Sequence, residues 1–184
     1  DHDEALLSGS GDGSHAILVL AFESADHEPG AWMTRATEIC REHRGKLSEE
    51  DSAAAWRSAF LRGPHIRDAM PRIGLVHETF ETAITWDRFR DFHEGVLRSV
   101  REAVDDACGG GAITCRLTYV YPDGPAPYYS VYAPGRPGSE LEQWDAIKSA
   151  ASEAIIALGG TITHHHAVGR DHRPWYLREV PELF

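Results

Sequence analysis

Three consecutive histidines, His164, His165 and His166, follow a glycine pair and a short β-branched run in the stretch GGTITHHHAVGRDHRPWY, residues 159–176. Imidazole titrates near neutral pH, so such a loop suits proton transfer, or hydrogen bonding to a cofactor or a phosphate. A metal site is the weaker reading. Neighbouring side chains on an extended backbone point to opposite faces, so only His164 and His166 are expected to share an ion. The fixed-spacing carboxylate or thiol partners of a zinc site are missing nearby, and no metal is expected. On spacing alone, a solvated turn explains the histidines as well as function does.

Two other residues stand out by type. Arg67, in HIRDAM (65–70), carries the planar fork that donates two parallel hydrogen bonds to a phosphate or carboxylate. A local ion pair with Asp68 or Glu78 is the plainer alternative. Tyr121 precedes Pro122, Asp123 and Gly124 at an expected strand end, where a phenol can face a cleft. An ordinary sheet tyrosine is the alternative there, and Tyr119 competes for the same role. Arg170, Arg173 and Trp175 follow the histidines and are expected to hold their loop in place.

The elements that would position these groups can be read from periodicity and punctuation. HAILVLAFES (15–24) reads as a buried strand, and residues 31–45 as a helix with Trp32, Ala36, Ile39 and Cys40 at helical spacing. Residues 46–74 have helical composition around Ala53 to Leu61, but Gly63, Pro64, Pro71 and Gly74 make an irregular connection the expectation. LVHETFETAI (75–84) reads as a strand. Thr85 and Asp87 then open a long helix whose apolar face is Phe89, Phe92, Val96, Leu97, Val100 and Val104. Residues 112–122 and 127–135 form an expected antiparallel pair around Asp123 and Gly124. A final helix, 139–158, carries Leu141, Trp144, Ile147, Ala151, Ile155 and Leu158 and ends in a glycine cap. This order predicts an α+β fold, a ferredoxin-like antiparallel sheet with helices packed on one face.

Composition narrows the classes. With 184 residues, 42% hydrophobic and 26% charged, the chain is that of an ordinary globular domain. A formal net charge of −11 argues against nucleic acid, whose phosphates call for a basic stripe. Cys40, Cys108 and Cys115 show no CxxC spacing and are odd in number, so a reducing, cytoplasmic setting is expected. No apolar run approaches the roughly 20 residues that span a bilayer, and the acidic, Gly/Ser-rich start is unlike a signal peptide. SGSGDGSH (8–15) does not sit between a strand and a helix N-terminus, so it is not read as a phosphate-binding loop. The start and the closing REVPELF both read as cuts in a longer polypeptide.

Four stretches in order, HIRDAM, ETFETAITWDRF (78–89), CRLTYVYPDG (115–124) and the histidine stretch, resemble the C-terminal cap domain of FAD-linked oxidases of the vanillyl-alcohol oxidase superfamily. Within it they are most similar to the alkyldihydroxyacetonephosphate synthases. FAD-dependent 2-hydroxy-acid dehydrogenases of the superfamily usually carry Gly-Glu-His-Gly where this chain has His164 to Ala167. Hairpin histidines that bind substrate or metal in some of those enzymes are absent from TYVYPDGPAPYY.

The resemblance implies that residues 1–184 form a substrate-capping domain, with FAD held mainly by an N-terminal domain outside this chain. It implies exchange of the acyl chain of acyl-dihydroxyacetone phosphate for a fatty alcohol, without net redox change. His165 and Tyr121 would be catalytic, Arg67 would bind the lipid substrate, and His164, His166 and Arg170 would lie at the flavin. The implied partners are the protein's own FAD-binding domain and a small-molecule lipid. Peripheral membrane contact and a homodimer are left open. A flavin-linked oxidase or dehydrogenase of a 2-hydroxy acid or another alcohol is the first alternative, and a non-catalytic ferredoxin-like binding module the second.

Overall fold

The structure, a computed structural model, describes residues 1–7, 12–47 and 52–181; part of the glycine-rich SGSGDGSH stretch therefore lies outside the described residues. The chain divides into two compact units, Asp1–Pro64 and His65–Phe184.

The first unit contains α1 (His2–Leu7), α2 (Gly30–Glu42) and most of α3 (Ser52–Ala69), which runs on into the second. Residues 15–24, expected as a buried strand, form none, and Leu18 is 65% exposed. A strand needs a ladder partner for its N–H and C=O groups, and this unit holds no strand among the described residues. Helix α2 forms where helical spacing placed it, yet none of its residues is buried. The connection expected to be irregular is instead the 18-residue α3, with Pro64 inside it. Its Ala-rich first half favours helix strongly enough to carry the chain through one proline. A 3₁₀ turn, Pro71–Ile73, follows and is closed by Gly74 in the left-handed region at φ 77°.

In the second unit the order is β1 (Leu75–Glu81), α4 (Trp86–Cys108), β2 (Ala112–Val120), β3 (Pro125–Pro134), α5 (Glu140–Ala157) and α6 (Arg173–Glu179). The three strands pair antiparallel in the order β1-β3-β2, with β3 central. Alternation along β1 sends Val76, Glu78 and Phe80 to one face and His77, Thr79 and Glu81 to the other. The first face meets α4 and α5, giving the expected α+β layering. Phe80 stacks on Tyr129 at 4.9 Å, and Phe92, Val96, Val100 and Val104 of α4 complete the core with Ile147, Ala151 and Ile155 of α5. The α5 stripe is the expected one from Trp144 to Leu158, with an exception at its start and added polar members. Leu141 is 81% exposed, while Gln143, Lys148 and Ser152 are buried. Thr85 takes the N-cap position of α4 with extended backbone, but its side chain makes no capping bond.

Two pairs of polar groups lie in this core. The Tyr129 hydroxyl and His93 Nδ1 lie 3.0 Å apart. Burial pushes that phenol far up and holds the His93 imidazole below its ordinary value. Glu78 receives Lys148 Nζ at 2.6 Å and the Trp144 indole N–H, joining β1 to α5. Both charged side chains are nearly excluded from solvent, at 7% and 11% exposure. Removing one partner of a buried pair strands the other charge, so Lys148→Ala should destabilise the domain by about 3–5 kcal/mol in a denaturant titration.

Candidate active site

The glycine pair is what brings the histidines to the sheet. After α5, Gly159 turns the chain in the left-handed region at φ 78°. The Arg88 guanidinium donates to the Leu158 carbonyl at 2.7 Å beside it. Gly160 then passes so close to α4 that a Cβ there would stand 2.5 Å from Phe92 Cε2 and 3.0 Å from Thr82 Oγ1. Just past β1, the Thr161 N–H donates to the Ala83 carbonyl at 3.2 Å, and the Thr82 hydroxyl donates to the Thr161 carbonyl. The chain thereby crosses the end of β1, from the helix-covered face to the opposite one.

There the backbone bends. The Thr163 hydroxyl donates to the His166 carbonyl at 2.7 Å, closing a compact bend around the three histidines. Ile162 is buried, and its N–H donates to Glu179 of α6 at 2.8 Å. His172 Nδ1 lies 2.8 Å from the Ala167 carbonyl and must donate, since the carbonyl only accepts. Helix α6 is in turn tied to α5, because Glu153 accepts two hydrogen bonds from Arg178, at 2.6 and 2.8 Å, and one from Trp175 Nε1 at 3.0 Å. Those bonds, Arg178 first, hold the Glu153 carboxyl down at about 2.

The bend faces Glu81, the last residue of β1, whose side chain is only 2% exposed. Glu81 Oε2 accepts the His165 backbone N–H at 3.2 Å and lies 3.5 Å from His165 Nδ1. Glu81 Oε1 faces His164 Nδ1 at 4.0 Å, and both atoms are buried with no hydrogen-bond partner among the described residues. The two imidazole rings stand perpendicular, with centroids 4.2 Å apart. One donor atom each from Glu81, His164 and His165 falls within 4.8 Å of the others, a spacing that could hold a metal ion. This corrects the expectation that only His164 and His166 could share one. The backbone is bent rather than extended, so adjacent side chains converge. His166 turns instead to Tyr128, ring edge to face at 5.4 Å. Burial holds its imidazole below the ordinary value, with Glu81 pulling the other way.

Two tyrosines of the β2–β3 hairpin complete the cluster. Tyr119 and Tyr121, two residues apart, stack 5.8 Å apart with ring planes within 5°. Tyr119 lies 4.5 Å from the His165 ring, and Tyr121 5.8 Å from the His164 ring. Both tyrosines are 40% exposed. The Tyr121 carbonyl accepts the Trp86 indole N–H at 2.9 Å, which holds this strand end against the start of α4. A cleft of about 340 Å³ opens here, lined among others by Thr85, Arg88, Tyr121, Asp123, Thr161 and His164.

The structure thus brings Tyr121, His164 and His165 together and places His166 beside them. Arg67 is elsewhere. It sits on α3, 4.0 Å from Asp68 and 69% exposed, near His77 at the opposite end of β1 from Glu81. Arg170 is exposed in the turn that leads to α6. Sequence reasoning missed Glu81 and Arg88, although both lie in the ETFETAITWDRF stretch. A carboxylate at the end of an apolar strand run was the available signal for Glu81.

The profile of the family described as "FAD linked oxidases, C-terminal domain" matches residues 2–184, and the chain belongs to that family. It is similar to the alkyldihydroxyacetonephosphate synthase of Caenorhabditis elegans, with 33% identity over 120 residues, 61% of this chain and 19% of that protein. The synthase of Trypanosoma brucei brucei is 24% identical over 163 residues, 89% of this chain and 27% of that protein. The chain therefore spans roughly a fifth to a quarter of these relatives' length. Solved structures of alkyldihydroxyacetonephosphate synthase in two crystal forms match 72% of the chain with TM-scores of 0.57 and 0.56, and the chain covers 24% and 23% of theirs. At 15% and 16% identity, what they share with it is the fold. Among the described residues, no helix is long and apolar enough to cross a membrane.

Two measurements check this construction. Gly160→Ala should lower stability by about 1–3 kcal/mol in a denaturant titration, because its methyl overlaps Phe92 and an overpacked core must shift. The Glu153 contact has the sign of a depressed carboxylate. Its contribution is present above the ordinary 4.5 and is lost as pH falls toward 2. Protection factors of the α6 amides, which are corrected for the intrinsic pH dependence of exchange, should fall as pH drops through that window and should not change between pH 5 and 7.

Proposed function

We propose that this domain caps the active site of an alkyldihydroxyacetonephosphate synthase-like flavoenzyme. The observation that carries the reading is the convergence of His164, His165 and Tyr121 at one end of the sheet, beside a cleft that also holds Arg88. The relatives named as synthases support it. In the proposed reaction the carbon–oxygen bond between dihydroxyacetone phosphate and its acyl group breaks on the dihydroxyacetone side. The fatty acid leaves with that oxygen, and the oxygen of a fatty alcohol takes its place. The alcohol proton is released, and no electrons are gained or lost overall.

The family implies FAD, and the residues present fit it. Tyr119 and Tyr121 offer two stacked, exposed rings, with imidazole edges beside them able to hydrogen-bond a planar polar ring system. When bound, FAD would supply an electron-accepting ring that lets the exchange at carbon proceed without net redox change. Its main holder would be an FAD-binding domain of the same polypeptide, which is the partner proposed for this face. Tyr121 moves the proton at the reacting carbon. His165, with Nδ1 turned to Glu81, presents Nε2 to a substrate oxygen as a hydrogen-bond donor. Arg88, rather than the distant Arg67, supplies the cation for the phosphate in the cleft.

The test uses full-length protein saturated with FAD and mixed anaerobically with a long-chain acyl-dihydroxyacetone phosphate. Free fatty acid should appear without lasting flavin bleaching. Tyr121→Phe should slow that release by roughly 10²–10⁴-fold, as loss of a general acid or base does. His165→Ala should slow it by roughly 10²–10³-fold, as loss of one oxyanion donor does. No release, but durable bleaching by a 2-hydroxy acid, would reassign the loop to substrate oxidation.

A further inference from the structure

Glu81 has more acceptor capacity than its neighbours use. Its carboxylate is buried, one oxygen receives only the His165 backbone N–H, and the other receives nothing among the described residues. A buried carboxylate oxygen left without a partner is costly, so something is expected to meet it. The Lys148 ammonium on the far side of the strand is already held by Glu78 at 2.6 Å. Facing the bare oxygen is a second bare, buried atom, His164 Nδ1, at 4.0 Å. That gap is too long for a hydrogen bond, whose N···O distance is about 2.7–3.2 Å. It is a distance that a shared ion produces. Two ligand atoms each about 2.1 Å from one zinc lie about 3.4 Å apart at the tetrahedral angle and at most about 4.2 Å apart. The Glu81–His164 and Glu81–His165 separations, 4.0 and 3.5 Å, both fall in that range. The donor atoms of the two histidines lie within 4.8 Å of each other, and the half-exposed His165 ring is free to close on a shared ion.

We propose that Glu81, His164 and His165 form a binding site for one divalent first-row transition ion, with Zn²⁺ as the probe. Two imidazoles and a carboxylate are a ligand set of borderline-soft ions, and three protein ligands leave a fourth position for water or a substrate oxygen. None of the three lies on the β2–β3 hairpin, so this is a different ligand set from the hairpin histidines that the sequence lacks. His164 also lines the cleft beside Tyr121 and Arg88, so an ion held there would act on a substrate carbonyl oxygen as a Lewis acid. Coordination through His165 Nδ1 leaves Nε2–H free to donate. The site goes beyond the proposed reaction and stands or falls separately, because its readout is binding rather than turnover.

Full-length flavoprotein is stripped with EDTA, desalted and titrated with Zn²⁺ by calorimetry, alongside Glu81→Gln, His164→Ala, His165→Ala and a control, His27→Ala, at an exposed histidine of the first unit. The expected result is one Zn²⁺ per chain, weakened tenfold or more by each of the three ligand substitutions and unchanged in the control. Flavin content and circular dichroism establish that each variant folds. His165→Ala, which removes a half-exposed ring, keeps the comparison valid if Glu81→Gln misfolds. Absence of binding to the wild type would overturn the proposal. Equal binding by the wild type and His165→Ala would overturn it too, as an adventitious ion only.

Discussion

The contact between Gly160 and helix α4 governs the rest of the site. Chain leaving α5 has to pass between Phe92 and Thr82 to reach the far side of β1, and there is room for backbone but not for a Cβ. Everything beyond that point inherits its place from the passage. Thr161 bonds to the segment after β1, Ile162 is buried, and the histidine bend arrives over Glu81. Arg88 reinforces the constraint by capping the end of α5 from the first turn of α4. A sheet edge, two helix ends and a loop thus meet within a few residues, and the histidine–tyrosine cluster lies where they meet.

The two carboxylates of β1 show how position decides the fate of identical groups. Glu78 and Glu81 are three residues apart, so the strand's twofold alternation sends them to opposite faces. Glu78 lands beneath α5, where Lys148 and Trp144 satisfy both of its oxygens, and the result is a structural tie. Glu81 lands beneath the histidine bend, where among the described residues only one backbone N–H reaches it within hydrogen-bonding distance. Low dielectric strengthens the attraction between a buried carboxylate and any cation beside it, and makes an unmet oxygen costly. The first carboxylate is used up in a structural tie, while the second keeps an oxygen without a hydrogen-bond partner among the described residues.

Much of the second unit was legible from residue order. The long α4 was readable because Phe92, Val96, Val100 and Val104 recur at helical spacing over many turns. The hairpin was readable because apolar and aromatic runs flank Asp123 and Gly124, where tight turning is required. Less could be read where local preference and tertiary partners compete. Residues 15–24 have strand composition, yet composition cannot supply the ladder partner that makes a strand. Helix α3 was obscured by Pro64, because a proline reads as a stop even where an Ala-rich run can bridge it.

The cluster of three histidines, the glycine pair before it and the tyrosines of the hairpin were all visible in the sequence, and so was their resemblance to flavin-linked oxidases. These are properties of residue type and spacing, which the linear chain carries. Which groups would face one another was not visible. Whether adjacent histidines diverge or converge depends on a bend closed by Thr163, and Glu81 becomes their partner only because β1 ends beneath that bend. Arg88 and Arg67 are chemically the same group, but one lines the cleft and the other lies at the far end of the strand. Contacts between residues some 80 positions apart arise from the packing of helices on the sheet, and only the folded chain decides them.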